Sequence, residues 1–439
     1  MIQKCAKVRI ERNDGAVFEG LELPSPKEDV VVLKLSSGYN VGILKQSIAK
    51  KEVIESEKST LCNEGANTED KKKIPIKNRT LPRIAILTTG GTIASKIDYS
   101  TGAVTGKITS EEFIRFYPEL PVFCNPEARM IRQMMSESFR FEHYNLFAEE
   151  IKKEIAAGAK GIILAQGTDT LHYTSAALSF ILENIGVPVL IVGAQRSSDR
   201  PSTDAYTNLM NACYFLSHTD FKGVAVCMHE NINDPTAIIM HGCKVRKMHT
   251  SRRDAFRPVN TLPLARVNVL EKKIEYMSDY NKEVTGTFQI KNFDPEKKVG
   301  IIKTHTHMRP EQFEPYANFD GVVFEGTGIG QLPNTTFDEI TEPNKKNLEV
   351  IKKIAKHAVC VWAPQTIYGR TDMNIYSEGR LNLSLGFVGN YHDMTPETAF
   401  IKLAWLLSNY SKEETKKLIG KNLRGEISER SGFSENFLV

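Results

Sequence analysis

Arg83-Ile84-Ala85-Ile86-Leu87-Thr88-Thr89-Gly90-Gly91-Thr92 and Gly161-Ile162-Ile163-Leu164-Ala165-Gln166-Gly167-Thr168-Asp169-Thr170 share one design: a short apolar run followed by a turn of threonine and glycine. Such runs, bounded by turn residues and followed by a helical pattern, read as strands of a parallel sheet. In open parallel sheets, ligands bind beyond the carboxyl ends of the strands. The two turns therefore bring hydroxyls, glycine backbone and the Asp169 carboxylate to one edge, where a threonine hydroxyl can attack a carbonyl carbon.

Outward from these turns, apolar runs at 187–193 and 222–228 alternate with helical patterns at 142–157, 175–184 and 205–215. That alternation predicts a doubly wound α/β domain over residues 83–280. A polar connection at 281–298 leads to a smaller α/β domain over 299–439. Its strands are expected at Val299-Gly300-Ile301-Ile302, Gly321-Val322-Val323-Phe324 and Ala358-Val359-Cys360-Val361-Trp362, and Thr395-Pro396-Glu397 opens a helix over 398–407. The polar end, 425–439, reads as a tail or a docking strand. Before the first turn, residues 1–55 contain four short β-type runs separated by Asn13-Asp14-Gly15 and Ser36-Ser37-Gly38. They predict a small SH3-like β-barrel, which can bind RNA or peptide or dock a neighbouring domain. The charged stretch 56–82 is the linker.

Composition narrows the class. At 439 residues the chain exceeds one ordinary domain. A net charge of +4 is that of a solvated mixed surface and does not by itself indicate a nucleic-acid binder. Seven cysteines without a CxxC pair argue against a disulfide framework or a cysteine zinc site, and for a reduced compartment. The residues after Met1 lack a signal-peptide pattern, and no stretch approaches the roughly 20 apolar residues of a membrane span. The expectation is a cytoplasmic protein without a membrane role. His305-Thr306-His307 would put two rings on one side of a strand, but no third ligand accompanies them, so no metal site is expected. Neither the first turn nor Gly326-Thr327-Gly328-Ile329-Gly330 matches a phosphate-binding loop.

A threonine hydroxyl is a weak nucleophile at neutral pH and needs a base within hydrogen-bond reach. Asp169 adjoins Thr168. Lys247, in Lys244-Val245-Arg246-Lys247-Met248-His249, can shuttle a proton beside a carboxylate, and Lys244 is its rival. Gly90 and Gly91 allow close backbone approach and can present N–H groups to an oxyanion. Read singly, each motif also has a structural meaning: Gly167-Thr168-Asp169-Thr170 makes a good helix N-terminus.

Together, TGGTIAS at 89–95, QGTDT at 166–170, GAQR at 193–196, the Lys247 segment ending Asp254-Ala255-Phe256, and DMTPETAFIKLAWLL at 393–407 closely resemble the L-asparaginase/glutaminase family, from about Arg83 to Leu407. That resemblance implies a two-domain α/β fold with a catalytic set falling on Thr92, Thr168, Asp169 and Lys247. Thr92 would attack the side-chain amide carbon to form an acyl-enzyme and release ammonia. Thr168, Asp169 and Lys247 would form the supporting relay. Asp169 would also hold the substrate α-amino group, and Gly91 would line the substrate site. Ser136 and Glu137 would hold the α-carboxylate and α-amine, the alternative being a helix cap before Phe141. Lys247 is preferred to Lys244 by its spacing to Phe256. Where the family carries a lid tyrosine, this chain has Ala103 or Thr105, with Tyr99 earlier. Either Tyr99 serves a shifted lid or the lid is controlled differently.

The N-terminal barrel and linker, with the wording Lys-Met-His-Thr-Ser-Arg-Arg-Asp-Ala-Phe, extend the resemblance over the whole chain to the D-subunit family of archaeal glutamyl-tRNA(Gln) amidotransferases. This implies an amidase acting on glutamine or asparagine, with no cofactor of its own. A partner, the E-subunit of the same amidotransferase, would use ATP and Mg and make most contact with Glu-tRNA(Gln). Two copies of each would form a heterotetramer around a homodimer. A free-standing asparaginase with an accessory barrel, and a non-enzymatic binding protein on an amidase scaffold, are the competing readings.

Overall fold

In the computed structural model the described residues are 7–23, 25, 29–35, 40–55, 80–90, 96–97, 104–105, 117, 119–196, 203–232 and 235–432. The first strands are β1 (Lys7–Arg12), β2 (Val17–Leu23), β3 (Val30–Leu35), β4 (Asn40–Leu44) and β5 (Ile48–Glu55). They form one antiparallel sheet in the order β4-β3-β2-β1-β5. Alternation along β1 buries Val8 and Ile10 against Val31, Leu33 and Ile43. β5 is not among the expected strands. Its Ile-Ala-Lys-Lys-Glu-Val-Ile-Glu lacks a regular alternation, and register shifts against β1 show why: the pairing is bulged.

The large unit begins with β6 (Arg83–Thr88), followed by a short antiparallel pair, β7 (Lys96–Ile97) and β8 (Val104–Thr105). Then come β9 (Asn125–Met130), β10 (Gly161–Ala165), β11 (Leu182–Glu183), β12 (Pro188–Val192) and β13 (Gly223–His229). β14 (Ala237–His241), β15 (Val245–Lys247), β16 (Phe256–Pro258), β17 (Ala265–Asn268), β18 (Lys273–Tyr276) and β19 (Gln289–Ile290) complete it. The main sheet runs β18-β17-β14-β13-β12-β10-β6-β9. Neighbours from β9 to β13 are parallel, and β14, β17 and β18 extend the sheet antiparallel. Alternation again sorts the side chains. Ile162 and Leu164 pack under the helices Phe141–Ala156 and Leu171–Ile181, while Ile163 and Ala165 face the helix Ala205–His218. The expected helix over 175–184 begins earlier, at Leu171.

The strand order explains where a site can form. From β6 the chain crosses outward to β9, then returns past β6 to β10. The winding direction therefore reverses between β6 and β10, and the crevice opens at their carboxyl ends. Both threonine turns leave the sheet there.

The C-terminal unit is a parallel sheet in the order β20 (Val299–Lys303), β21 (Gly321–Gly326) and β22 (Val359–Pro364). One face packs on the helix Asn344–His357 and the other on the helix Pro396–Asn409. Pro396–Asn409 also packs against the first unit, which is why it is apolar around most of its circumference. Its Lys402 is nonetheless fully buried, paired with Glu426 at 2.6 Å. His305 and His307 follow β20 in a loop, contrary to the expectation of a strand. His305 contacts the Thr306 carbonyl and Gln312, and His307 has a left-handed backbone. Among the described residues no group of three or more His, Cys, Asp or Glu is arranged to hold a metal ion. Residues 425–432 form an irregular docked segment, not a strand.

Candidate active site

At the end of β10 the ladder continues for one residue, with Gln166 N–H donating to the Val192 carbonyl at 3.0 Å. The chain then turns at Gly167, and Thr170 is the N-cap of the helix Leu171–Ile181. Thr168 and Asp169 thus sit at the positive end of a helix, which favours negative charge beside them. Thr168 is buried, at 9% exposure, whereas the Asp169 carboxyl group is largely in solvent.

Lys247 ends β15, opposite Phe256 of β16. Its Nζ donates to Thr168 Oγ1 at 2.9 Å and to Asp169 Oδ1 at 2.6 Å. These distances allow Lys247, as the neutral amine, to take a proton from the hydroxyl, and let the carboxylate hold the ammonium that results. The rival Lys244 points elsewhere: its Nζ donates to Asp393 Oδ2 at 2.7 Å and to Ser428 Oγ at 2.9 Å, in a buried cluster. Of the two lysines, only Lys247 reaches Thr168.

Ser136 opens a single 3-10 turn, Ser136–Ser138, and is 2% exposed. Its Oγ accepts from the Thr170 N–H at 3.4 Å, and its carbonyl accepts from Thr170 Oγ1 at 2.7 Å. Ser136 therefore belongs to the Thr168 turn. It does not cap the helix that starts at Phe141, whose N-cap is Arg140. Glu137 shares the turn and is exposed. The turn after β6 lies alongside: Thr89 N–H donates to the Ala165 carbonyl at 3.0 Å, and the Met134 N–H donates to the Thr89 carbonyl at 3.0 Å. Gly90 has φ +93°, and a Cβ there would sit 3.2 Å from Met134 N, so glycine serves both backbone shape and close approach. Gly91, Thr92 and Tyr99 lie outside the described residues.

Two supports of the site carry no role in the reading of the sequence. A Cβ on Gly193 would stand 2.7 Å from Thr168 Cγ2 and 3.1 Å from Leu171 Cδ1, so the GAQR turn presses directly on Thr168. That turn is held by fully buried Asp204, whose carboxylate accepts from the Gln195 N–H at 2.9 Å and the Arg196 N–H at 3.0 Å. The signal for Gly193 is the GAQR motif itself; its target needs the neighbouring strand. Gly193→Ala is expected to push Thr168 off Lys247, costing up to about 100-fold in kcat and roughly 1–3 kcal/mol of stability. Steady-state kinetics with a thermal melt checks both.

His172, the second residue of the helix, is 8% exposed. Burial drives its pKa down to about 4, partly opposed by Glu397 and assisted by Arg246 and Lys247. The ring is thus neutral near pH 7 and adds no second cation beside Lys247.

The domain family "Asparaginase, N-terminal" matches residues 83–281, and "Glutaminase/Asparaginase C-terminal domain" matches 298–419. "GatD N-terminal domain" matches residues 2–54. The chain is 41% identical to the glutamyl-tRNA(Gln) amidotransferase D-subunit of Methanococcus maripaludis, covering 95% of this chain and 96% of that protein. It is 38% identical to the D-subunit of Sulfolobus acidocaldarius, covering 96% and 91%. The chain belongs to the D-subunit family of glutamyl-tRNA(Gln) amidotransferases. Solved structures place the catalytic units of this D-subunit family member beside the asparaginases. The thermostable L-asparaginase from Thermococcus kodakarensis matches with a TM-score of 0.68 at 27% identity, covering 79% of this chain and 100% of that one. L-asparaginase I from Vibrio cholerae matches with a TM-score of 0.67 at 26% identity, covering 79% and 99%. No helix among the described residues is long and apolar enough to cross a membrane.

Proposed function

We propose that this chain is the amidase component of a tRNA-dependent amidotransferase. It hydrolyses the side-chain amide of glutamine or asparagine and supplies the ammonia to a partner that converts Glu-tRNA(Gln) to Gln-tRNA(Gln). The observation that carries this reading over a free-standing asparaginase is at the N-terminus. Similarity to the D-subunit relatives continues through the N-terminal sheet, whereas the asparaginase structures are matched in full by 79% of the chain.

The arrangement of Thr168, Asp169, Lys247 and Ser136 supports the following reading, in which Thr92 and Gly91 take the roles that the family resemblance implies. Thr92 attacks the amide carbon and the carbonyl oxygen takes up negative charge, favoured by backbone N–H groups around Gly91 and by the helix end at Thr170. Thr168 and Lys247 relay the proton from the attacking hydroxyl toward the leaving nitrogen. The C–N bond breaks, ammonia departs, and an ester to threonine remains for water to hydrolyse. Asp169, held on Lys247 yet open to solvent, anchors the substrate α-amino group. Ser136 takes the α-carboxylate and Glu137 the α-amine, and Tyr99 serves as the lid tyrosine. In this reading the chain needs no cofactor. ATP and Mg belong to the E-subunit partner, which makes most of the contact with the tRNA, and two copies of each protein assemble in the cytoplasm.

Ammonia release from glutamine and asparagine by the purified chain, alone and then with the E-subunit partner, ATP and Glu-tRNA(Gln), tests the proposal. A slow rate alone that rises with partner and charged tRNA is expected. Fast asparagine hydrolysis indifferent to both additions would make it an independent asparaginase.

A further inference from the structure

The strand that carries Lys247 is fastened by one short segment of the C-terminal unit. The Thr398 hydroxyl donates to the Cys243 carbonyl at 2.9 Å. Lys244 Nζ donates to Asp393 at 2.7 Å, and Arg246 Nε donates to Glu397 Oε1 at 2.9 Å. Both carboxylates are buried. Ser428 closes the first pair, its N–H donating to Asp393 Oδ1 at 3.0 Å while its Oγ accepts from Lys244.

Side chains alternate along a strand. Lys244 and Arg246 therefore reach toward Asp393 and Glu397, while Val245 and Lys247 face the helix Leu171–Ile181 and Thr168. The residue before Lys247 and the one three before it are both held, from the side opposite the reacting atoms. Charge-assisted pairs with little water around them are sensitive to geometry, and removing one charge leaves the other buried without compensation.

We infer that Asp393 and Glu397 are positioning residues for the amidase reaction, setting Lys247 Nζ against Thr168 through Lys244 and Arg246. The inference rests on the role of Lys247 proposed above. A displacement of about 1 Å at a reacting group costs on the order of 100-fold in rate. The C-terminal segment thereby bears on the chemistry without touching substrate.

The test uses Asp393→Asn and Glu397→Gln in the full chain. It reads kcat and KM for ammonia release, and the rate at which an amine-selective acetylating reagent labels Lys247, measured by peptide mass spectrometry. Fully buried Lys402 is the internal reporter of an intact fold. The expected result is a kcat about 10- to 100-fold lower, a KM within about two-fold, faster labelling of Lys247 and continued protection of Lys402. Unchanged labelling of Lys247, or unchanged kcat, overturns the inference. If either variant exposes Lys402, Ser428→Ala takes its place with the same outcomes. Lys247→Met is measured in parallel. Retained kcat there removes the role of Lys247 itself, whereas loss of activity there with wild-type labelling in the other variants removes only the positioning.

Discussion

Thr168→Val removes ammonia release from glutamine and asparagine, by roughly two to four orders of magnitude in kcat. Valine keeps the shape of threonine but cannot accept the 2.9 Å hydrogen bond from Lys247 or pass on a proton. The substitution leaves the helix N-terminus intact, because Thr170 is the N-cap and its N–H is satisfied by Ser136 Oγ. Stability should change by only about 1 kcal/mol, the net value of one hydrogen bond. The measurement is ammonia release over hours, paired with a thermal melt. A variant that melts normally and still releases ammonia at the parent rate would show that the relay does not run through Thr168. Thr92→Val should be equally severe, since it removes the proposed nucleophile.

Lys402→Met should give the largest loss of stability, about 3–5 kcal/mol. Lys402 is fully buried in the helix Pro396–Asn409 and lies 2.6 Å from equally buried Glu426. It also donates to the Ile419 carbonyl at 2.8 Å and to the Lys421 carbonyl. Methionine fills the volume but leaves the Glu426 carboxylate without its cation. The backbone N–H groups of Leu423 and Arg424 still donate to that carboxylate, and they do not neutralise it. The apparent melting temperature should fall by about 10 °C. Adding Glu426→Gln to Lys402→Met should recover most of the loss, because the amide oxygen still accepts from both N–H groups while the charge is gone. A single variant as stable as the parent would mean that the pair contributes nothing net.

Much of the architecture is readable from periodicity. β6, β10, β12 and β13 are apolar runs bounded by turns because parallel strands are covered on both faces. The strands that periodicity does not reveal are those whose burial is one-sided or interrupted. β9, Asn-Pro-Glu-Ala-Arg-Met, is an edge strand with only Ala128 buried. β5 is bulged, β17 buries only alternate residues and β18 is mostly exposed; β14, Ala-Ile-Ile-Met-His, is the exception, an apolar run buried from Ala237 to Met240. The helix after Thr170 starts earlier than its pattern suggests because Gly167-Thr168-Asp169-Thr170 serves as turn and cap at once.

The chain's own order of residues is enough to mark the two threonine turns and Asp169, because each motif needs only local spacing to be seen, whereas Lys247, 79 residues beyond Thr168, joins them through the family resemblance. The spacing to Phe256 favours Lys247 over Lys244 already in the sequence, but the physical reason for the difference is not local. Both lie on one stretch of alternating direction, and the packing partners on its two sides, Thr168 on one and Asp393 on the other, give the two lysines different tasks. The same holds for Ser136, which binds a helix start 34 residues away, and for Gly193, whose missing side chain is room for Thr168. Lys402 interrupts an apolar helix and is understood only once Glu426 folds back to meet it. Local pattern sets strands, turns and caps through backbone geometry. Charge pairing and close contact depend on which distant segments share a cavity of low polarity, and that is a property of the fold.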